Sequence, residues 1–142
     1  MFSKGAGILK NGFRSKFESS ISNMLKTQHE RFGYEVTAIK YTKPMSNHTY
    51  TVDFTLSNGI LIEAKGRWLA EDRKKHVLIK QQHPNLDIRF VFQRPDMVIR
   101  KGSKTTYADF CDKHHILWAH KVVPIEWLRE ASKTTSLIHL KV

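Results

Sequence analysis

The sequence predicts an α/β domain built on a central mixed β-sheet flanked by helices. Three observations predict it. Apolar residues recur at helical spacing near both ends of the chain; blocks of β-formers fill the stretch from Tyr34 to Gln93, interrupted by one charged helical segment; and the turn signature Ser57-Asn58-Gly59 joins two of those blocks. With 142 residues the chain fits one domain around one modest core. We read residues 1–12 as a basic flexible arm, 13–142 as the single domain, and 42–48 as a connector.

Taken in order, the first helix is expected from Phe13 to about Arg31. Phe17, Ile21, Met24 and Leu25 make one apolar stripe, Ser15 and Glu18 have capping-box spacing, and Gly33 is a stop signal. Tyr34 to Tyr41 reads as a strand, and Lys43 to Asn47, with Pro44, as the connector. A further run from His48 to Leu56 turns at Ser57-Asn58-Gly59 and returns over Ile60 to Lys65, a hairpin pattern. Glu71 to His83 is a charged helix stopped by Pro84. Asp87 to Gln93 is a strand, Thr105 to His114 a short helix, Ile116 to Ala119 a small strand. Pro124 suits the first position of a last helix carrying Ile125, Trp127 and Leu128.

Lys and Arg number 24 against 13 Asp and Glu, a net charge of +11. Such a surface attracts polyanions through counterion release. No apolar run approaches the roughly 18 residues of a membrane span, and no long basic amphipathic helix offers itself to a lipid surface. The single cysteine, Cys111, excludes an internal disulfide and a multi-cysteine zinc site, and reads as a small buried hydrophobe. With no secretory segment, an intracellular, reducing setting is expected. Residues 1–16 share the acid-free basic composition of mitochondrial transit peptides, but their three glycines favour a mobile arm.

Chemistry concentrates between Asp53 and Gly66. Glu63 and Lys65, two apart on a strand, project from one face. Whether Asp53 joins them depends on register. A two-residue Asn58-Gly59 turn pairs Asp53 with Ala64 and sends the acids to opposite faces. A three-residue loop pairs Leu56 with Ile60 and sets Asp53 opposite Glu63, with Gly59 in the left-handed conformation; this is the arrangement we expect. Two carboxylates on one face suit Mg²⁺ or Mn²⁺, hard cations that prefer oxygen ligands and activate water against a phosphodiester. Lys65 beside them would offset transition-state charge. A solvated charged stripe gives the same pattern. Against it, Ile60, Leu61 and Ile62 are apolar on both faces, as in an interior strand, and the motif lies in a basic chain with Arg67, Arg73, Lys74 and Lys75 just downstream.

Five segments carry a further signal: Phe13-Arg14-Ser15-x-x-Glu18, Ser46-Asn47-His48-Thr49-Tyr50-Thr51-x-Asp53-Phe54, Asn58-Gly59-Ile60-x-x-Glu63-x-Lys65-Gly66, Asp72-Arg73-Lys74-Lys75-His76, and Gln82-His83-Pro84-x-Leu86-Asp87-Ile88-Arg89. Together they resemble the endonuclease I family of podophages, Holliday-junction resolvases with a restriction-endonuclease-like PD-(D/E)XK core. The similarity runs from about Gly12 to Glu130. It implies a catalytic set of Glu18, Asp53, Glu63 and Lys65, with the Ala64 carbonyl as a further metal ligand and two Mg²⁺ or Mn²⁺ ions per site. It also implies an intertwined, domain-swapped homodimer in which the connector bridges two chains and Glu18 reaches the partner's Asp53, Glu63 and Lys65. The family proline before the acid is Val52 here, a change that removes no metal-binding group.

Glu18 has a second reading as the third residue of a capping box begun by Ser15. Arg14, Lys16, Arg67, Lys74 and Lys75 are candidates for DNA contact, and each is equally readable as a solvated charge. His114, His115 and His120 lack organised zinc spacing; His48 and His76 lie close enough to the motif to support it. The resulting expectation is an endonuclease that resolves branched double-stranded DNA by recognising shape and backbone charge. The alternatives are a related nicking or repair nuclease without junction preference, and a non-catalytic basic DNA-binding protein.

Overall fold

A computed structural model of the chain describes residues 12–132 and 139–140. The arm expected over 1–12 falls, apart from Gly12, outside them.

The first helix, α1 (Lys16–Thr27), opens at Ser15, whose hydroxyl accepts from the Glu18 N–H at 3.0 Å. It is shorter than the expected Phe13–Arg31 because Ser15 caps one end, while at the other Gln28 caps and His29 turns left-handed at φ 56°. Ile21 and Leu25 are buried, with Phe17 and Met24 packed beside them, as their spacing predicts.

The strand expected over Tyr34–Tyr41 is in fact two strands in different sheets. β1 (Phe32–Tyr34) ends at Glu35, which has φ 53°, and β2 (Thr37–Lys43) begins beyond it. A left-handed glutamate redirects the chain, something β-propensity does not foretell. The run from His48 to Leu56 divides likewise into β3 (Ser46–Thr51) and β4 (Phe54–Leu56), with Val52 and Asp53 at the crossing. Within this single chain, segment 42–48 forms the tip of a β2–β3 hairpin. Lys43 pairs with Ser46 and Pro44-Met45 make the turn, Met45 having φ 69°.

There follow β5 (Leu61–Lys65), α2 (Ala70–Gln82), β6 (Ile88–Phe92), α3 (Tyr107–Lys113), β7 (Trp118–His120), α4 (Ile125–Leu128) and β8 (His139–Leu140). Helix α3 starts later than expected because Thr106 caps it in a complete capping box with Asp109. Pro124 stands at the N-cap of α4, one place before the position expected.

The central sheet is mixed, in the order β1-β4-β5-β6-β7: the first three strands run antiparallel and β5, β6 and β7 parallel. One sheet was expected; a second, antiparallel one, β3-β2-β8, stands beside it. Val52 N–H donates to the Thr37 carbonyl (2.9 Å), and the Thr37 and Thr55 hydroxyls share a 2.6 Å hydrogen bond, so the two sheets meet next to Asp53.

Strand β5 lies at the centre and is buried along its whole length. Ile60, Ile62 and Ala64 join the core beneath α1, while Leu61 joins the cluster of Ile39, Tyr50 and Ile79 on the other side. Trp68, Phe90, Phe92 and Tyr107 form a third cluster. Glu63 and Lys65 thus leave an interior strand into dry surroundings, where charge is stable only if paired or used.

Candidate active site

The register decides the site. Phe54 pairs with Ile62 and Thr55 with Leu61, and the Leu56 N–H donates to the Ile60 carbonyl at 2.9 Å. Continued by one step, that register sets Asp53 opposite Glu63. The loop is the three-residue one, Ser57-Asn58-Gly59, with Gly59 at φ 88°. Asn58 secures it: its Oδ1 accepts from the Ile60 N–H, and its Nδ2 donates to the Trp127 and Glu130 carbonyls.

Asp53 and Glu63 are 1 % and 0 % exposed. The Asp53 N–H donates to Glu63 Oε1 (3.3 Å), and Asp53 Oδ2 accepts from the Ala64 N–H (3.0 Å), so the two strands hold both carboxylates by their backbones. Lys65 Nζ stands 3.5 Å from Glu63 Oε2 and 3.7 Å from Asp72 Oδ2, and Lys75 Nζ lies 3.5 Å from the other Asp72 oxygen. His76 Nε2 approaches Glu63 at 3.9 Å and packs edge-on to Tyr50. Charges of alternating sign therefore run from strand to helix, each compensating the next. Burial pulls the Lys75 ammonium below the ordinary lysine range, with Glu63 and Asp72 opposing that effect. Burial also holds the Tyr50 hydroxyl protonated, reinforced by Glu63.

Glu18 comes to the same place from α1. Its Oε1 accepts from the Tyr34 hydroxyl (2.7 Å) and from the Arg14 N–H (3.1 Å), while its own N–H rests on the Ser15 cap. Burial, then Glu18 itself, keeps the tyrosine a donor by raising its pKa far above the usual value. Carboxylate oxygens of Glu18, Glu35 and Asp53 all lie within 4.8 Å of one another. Ligands on opposite sides of an octahedral Mg²⁺ stand about 4.2 Å apart, so this all-oxygen donor set, with Glu18 and Asp53 buried and Glu35 half-buried, fits a hard divalent cation. The resemblance put Glu18 in the partner's site. In the single chain it meets its own Asp53.

The family model described as phage endonuclease I matches residues 1–142. Endonuclease I of Escherichia phage T7 is 48% identical over 136 residues, covering 95% of this chain and 91% of the relative. Endodeoxyribonuclease 1 of Enterobacteria phage T3 is 48% identical over 121 residues, covering 85% and 80%. This chain belongs to the phage endonuclease I family. As a member it is an endonuclease, and membership in a phage family lends no support to reading residues 1–16 as a mitochondrial address.

Of the endonuclease's expected site residues, Asp53, Glu63, Lys65 and Glu18 converge. The basic candidates separate. Arg14 lies against Glu35, with Nε 3.2 and 2.9 Å from its two carboxylate oxygens. Lys75 is drawn inward to Asp72 and over the Tyr50 ring at 4.9 Å. Lys16 and Arg67 are exposed, and Lys74 stands in solvent beside Glu71. His76 joins the site, whereas His48 stacks on Tyr41 at 5.5 Å in the second sheet.

Sequence reasoning missed Glu35 and passed over Asp72. Glu35 gives no signal in a linear reading, because a positive φ outside glycine brings it to the site. Asp72 was legible in principle: it opens Asp72-Arg-Lys-Lys-His76, one turn of which carries Lys75 and His76 to the same buried cluster.

Proposed function

We propose that the endonuclease resolves four-way junctions and other branched DNA by divalent-metal-dependent hydrolysis of the phosphodiester, acting as an intertwined homodimer. One observation carries the reading: the register that sets Asp53 against Glu63, with Lys65 held beside them, at the point where Glu18 arrives from α1. The phage endonuclease I family and the relative named as an endodeoxyribonuclease support DNA as the substrate class. No helix among the described residues is long and apolar enough to cross a membrane.

Glu18, Asp53, Glu63 and the Ala64 carbonyl would hold Mg²⁺ or Mn²⁺, with Glu35 beside Glu18 and Asp53. A cation there supplies charge neutralisation for the anionic phosphodiester and a more acidic water. Lys65, kept in place by Glu63 and Asp72, offsets the negative charge that grows on the phosphate during attack. Tyr34 and the Arg14 N–H fix the Glu18 carboxylate, and Tyr50 and His76 pack against Glu63. Preorganised charges of this kind need no rearrangement when the bond breaks.

The hairpin offers a route to the dimer. If the Pro44-Met45 turn opens, β2 pairs with a partner's β3 through the contacts seen here within one chain, and 42–48 becomes the bridge. Everything before the turn then crosses over, and Glu18 meets the partner's Asp53.

The deciding assay compares a synthetic four-way junction with a linear duplex of the same sequence, with Mg²⁺ and with a chelator. Paired nicks on the junction alone, lost on chelation and in Lys65→Ala, support the reading. Equal cutting of the linear duplex would replace it with a nicking nuclease; binding without cutting would leave a DNA-binding protein. Sharing of the site is read by mixing Glu18→Gln with Asp53→Asn under subunit exchange, where swapped sites restore nicking.

A further inference from the structure

Beyond Lys65 the chain passes through Gly66 to Arg67 and enters a groove of about 960 Å³ between α2 and the segment 97–101. Its lining divides by chemistry. Arg67, Lys74, Arg100 and Lys101 supply cations and, among the described residues, no acidic one lines it, while Leu69 and Val98 supply apolar surface. Leu69 and Val98 are 55% and 41% exposed, unusual for side chains facing a hollow that none of the described residues fills. Below them Trp68 is fully buried, and its indole N–H has no acceptor among the described residues. The cationic wall is built, not loose. Ile99 N–H donates to the Thr105 carbonyl (2.8 Å) and Ser103 N–H to the Arg100 carbonyl (3.1 Å), and Gly102 at φ 83° makes the tight turn after Lys101.

A duplex offers such a place only its phosphates, since its bases are stacked inside. An unpaired nucleotide offers an anion and an apolar face together. The volume lies in the range of pockets that enclose small ligands. Arg67, two residues from Lys65, is within about 7 Å of it along the backbone, so a strand at the carboxylates needs no detour to reach the groove.

We propose that this groove takes an unpaired nucleotide of the DNA strand leaving the active site, its base on Leu69 and Val98 and its flanking phosphates on Arg67, Arg100 and Lys101. The inference rests on the nuclease reading for its ligand class and adds a source of selectivity among branched substrates: the groove favours those that hold an unpaired nucleotide or open a pair at the branch.

The test is binding of the full chain in chelator, so that cutting plays no part. Three probes share one sequence: a blunt duplex, the duplex with a short unpaired bulge, and the same bulge made of abasic residues. The expected result is about tenfold tighter binding of the base-bearing bulge than of the abasic one. Ala70→Trp, which fills the groove from its rim, should abolish that preference. The double variant R100Q/K101Q should lower the dependence of log K on log salt by about two. Equal affinity of wild-type protein for the two bulges would overturn the proposal, whatever the variants do. So would a preference and salt slope that survive both variants when these melt like the wild type. A protein that fails to cut junctions in Mg²⁺ but keeps the base preference would sink the junction-resolving reading and leave this inference standing.

Discussion

Arg14 lays its Nε against both carboxylate oxygens of Glu35, at 3.2 and 2.9 Å, where Glu35 also stands within 4.8 Å of Glu18 and Asp53. A guanidinium thus closes the outer side of the carboxylate cluster. Glu35→Gln should weaken divalent-cation affinity, measured by calorimetry without DNA, by about tenfold. Arg14→Gln should leave or raise that affinity and instead weaken DNA binding. Cation affinity unchanged in Glu35→Gln would confine this glutamate to holding Arg14.

Asp72 sits between two ammonium groups, the buried Lys65 and the half-buried Lys75. Asp72→Asn keeps the shape and removes the charge that compensates both. Its cost in unfolding free energy should be about 3 kcal/mol, because the lysines stay buried without their partner. Junction cutting should fall by about a hundredfold at saturating metal, as Lys65 loses its anchor. Denaturant unfolding and single-turnover cutting measure the two effects separately.

Arg89, 3% exposed, forks between Asp87 and Glu130 with four contacts of 2.6–2.8 Å and lies 5.0 Å from the Trp127 ring. Burial works against its charge, but the two carboxylates outweigh it and raise its pKa. Arg89→Leu should cost about 3 kcal/mol and lower the melting temperature by roughly 10 °C. The site residues lie on other elements, so residual folded protein should keep its metal affinity.

Burial pushes the Cys111 thiol up to about 12. The thiolate is the reactive form, so alkylation of the native chain at pH 8 should be far slower than in denaturant. The linkage sign follows. The folded thiol holds its proton to higher pH than the unfolded one, so its contribution to stability is complete below the unfolded value near 9 and is lost as pH rises toward 12. Cys111→Ala should flatten that part of the stability profile.

The sequence by itself determined the elements with strong periodicity and the local geometry of the motif. Helix α1 is written in Phe17, Ile21, Met24 and Leu25, and the interior position of β5 in Ile60, Leu61 and Ile62. The three-residue loop follows from a glycine in the one place that needs a left-handed φ, and with it the meeting of Asp53 and Glu63. These are short-range constraints, fixed by side-chain spacing and turn chemistry.

Only the tertiary structure decided what depends on leaving a strand. Glu35 and the Val52-Asp53 crossing each divide a continuous β-rich run between two sheets, because burial and interstrand pairing outweigh propensity there. That division places Glu35 beside Glu18, while the packing of α2 sets Lys75 over the Tyr50 ring and leaves Arg67 and Lys74 at an open groove. A basic residue reads the same in sequence whether it faces solvent, a carboxylate or a ligand; packing alone tells these apart.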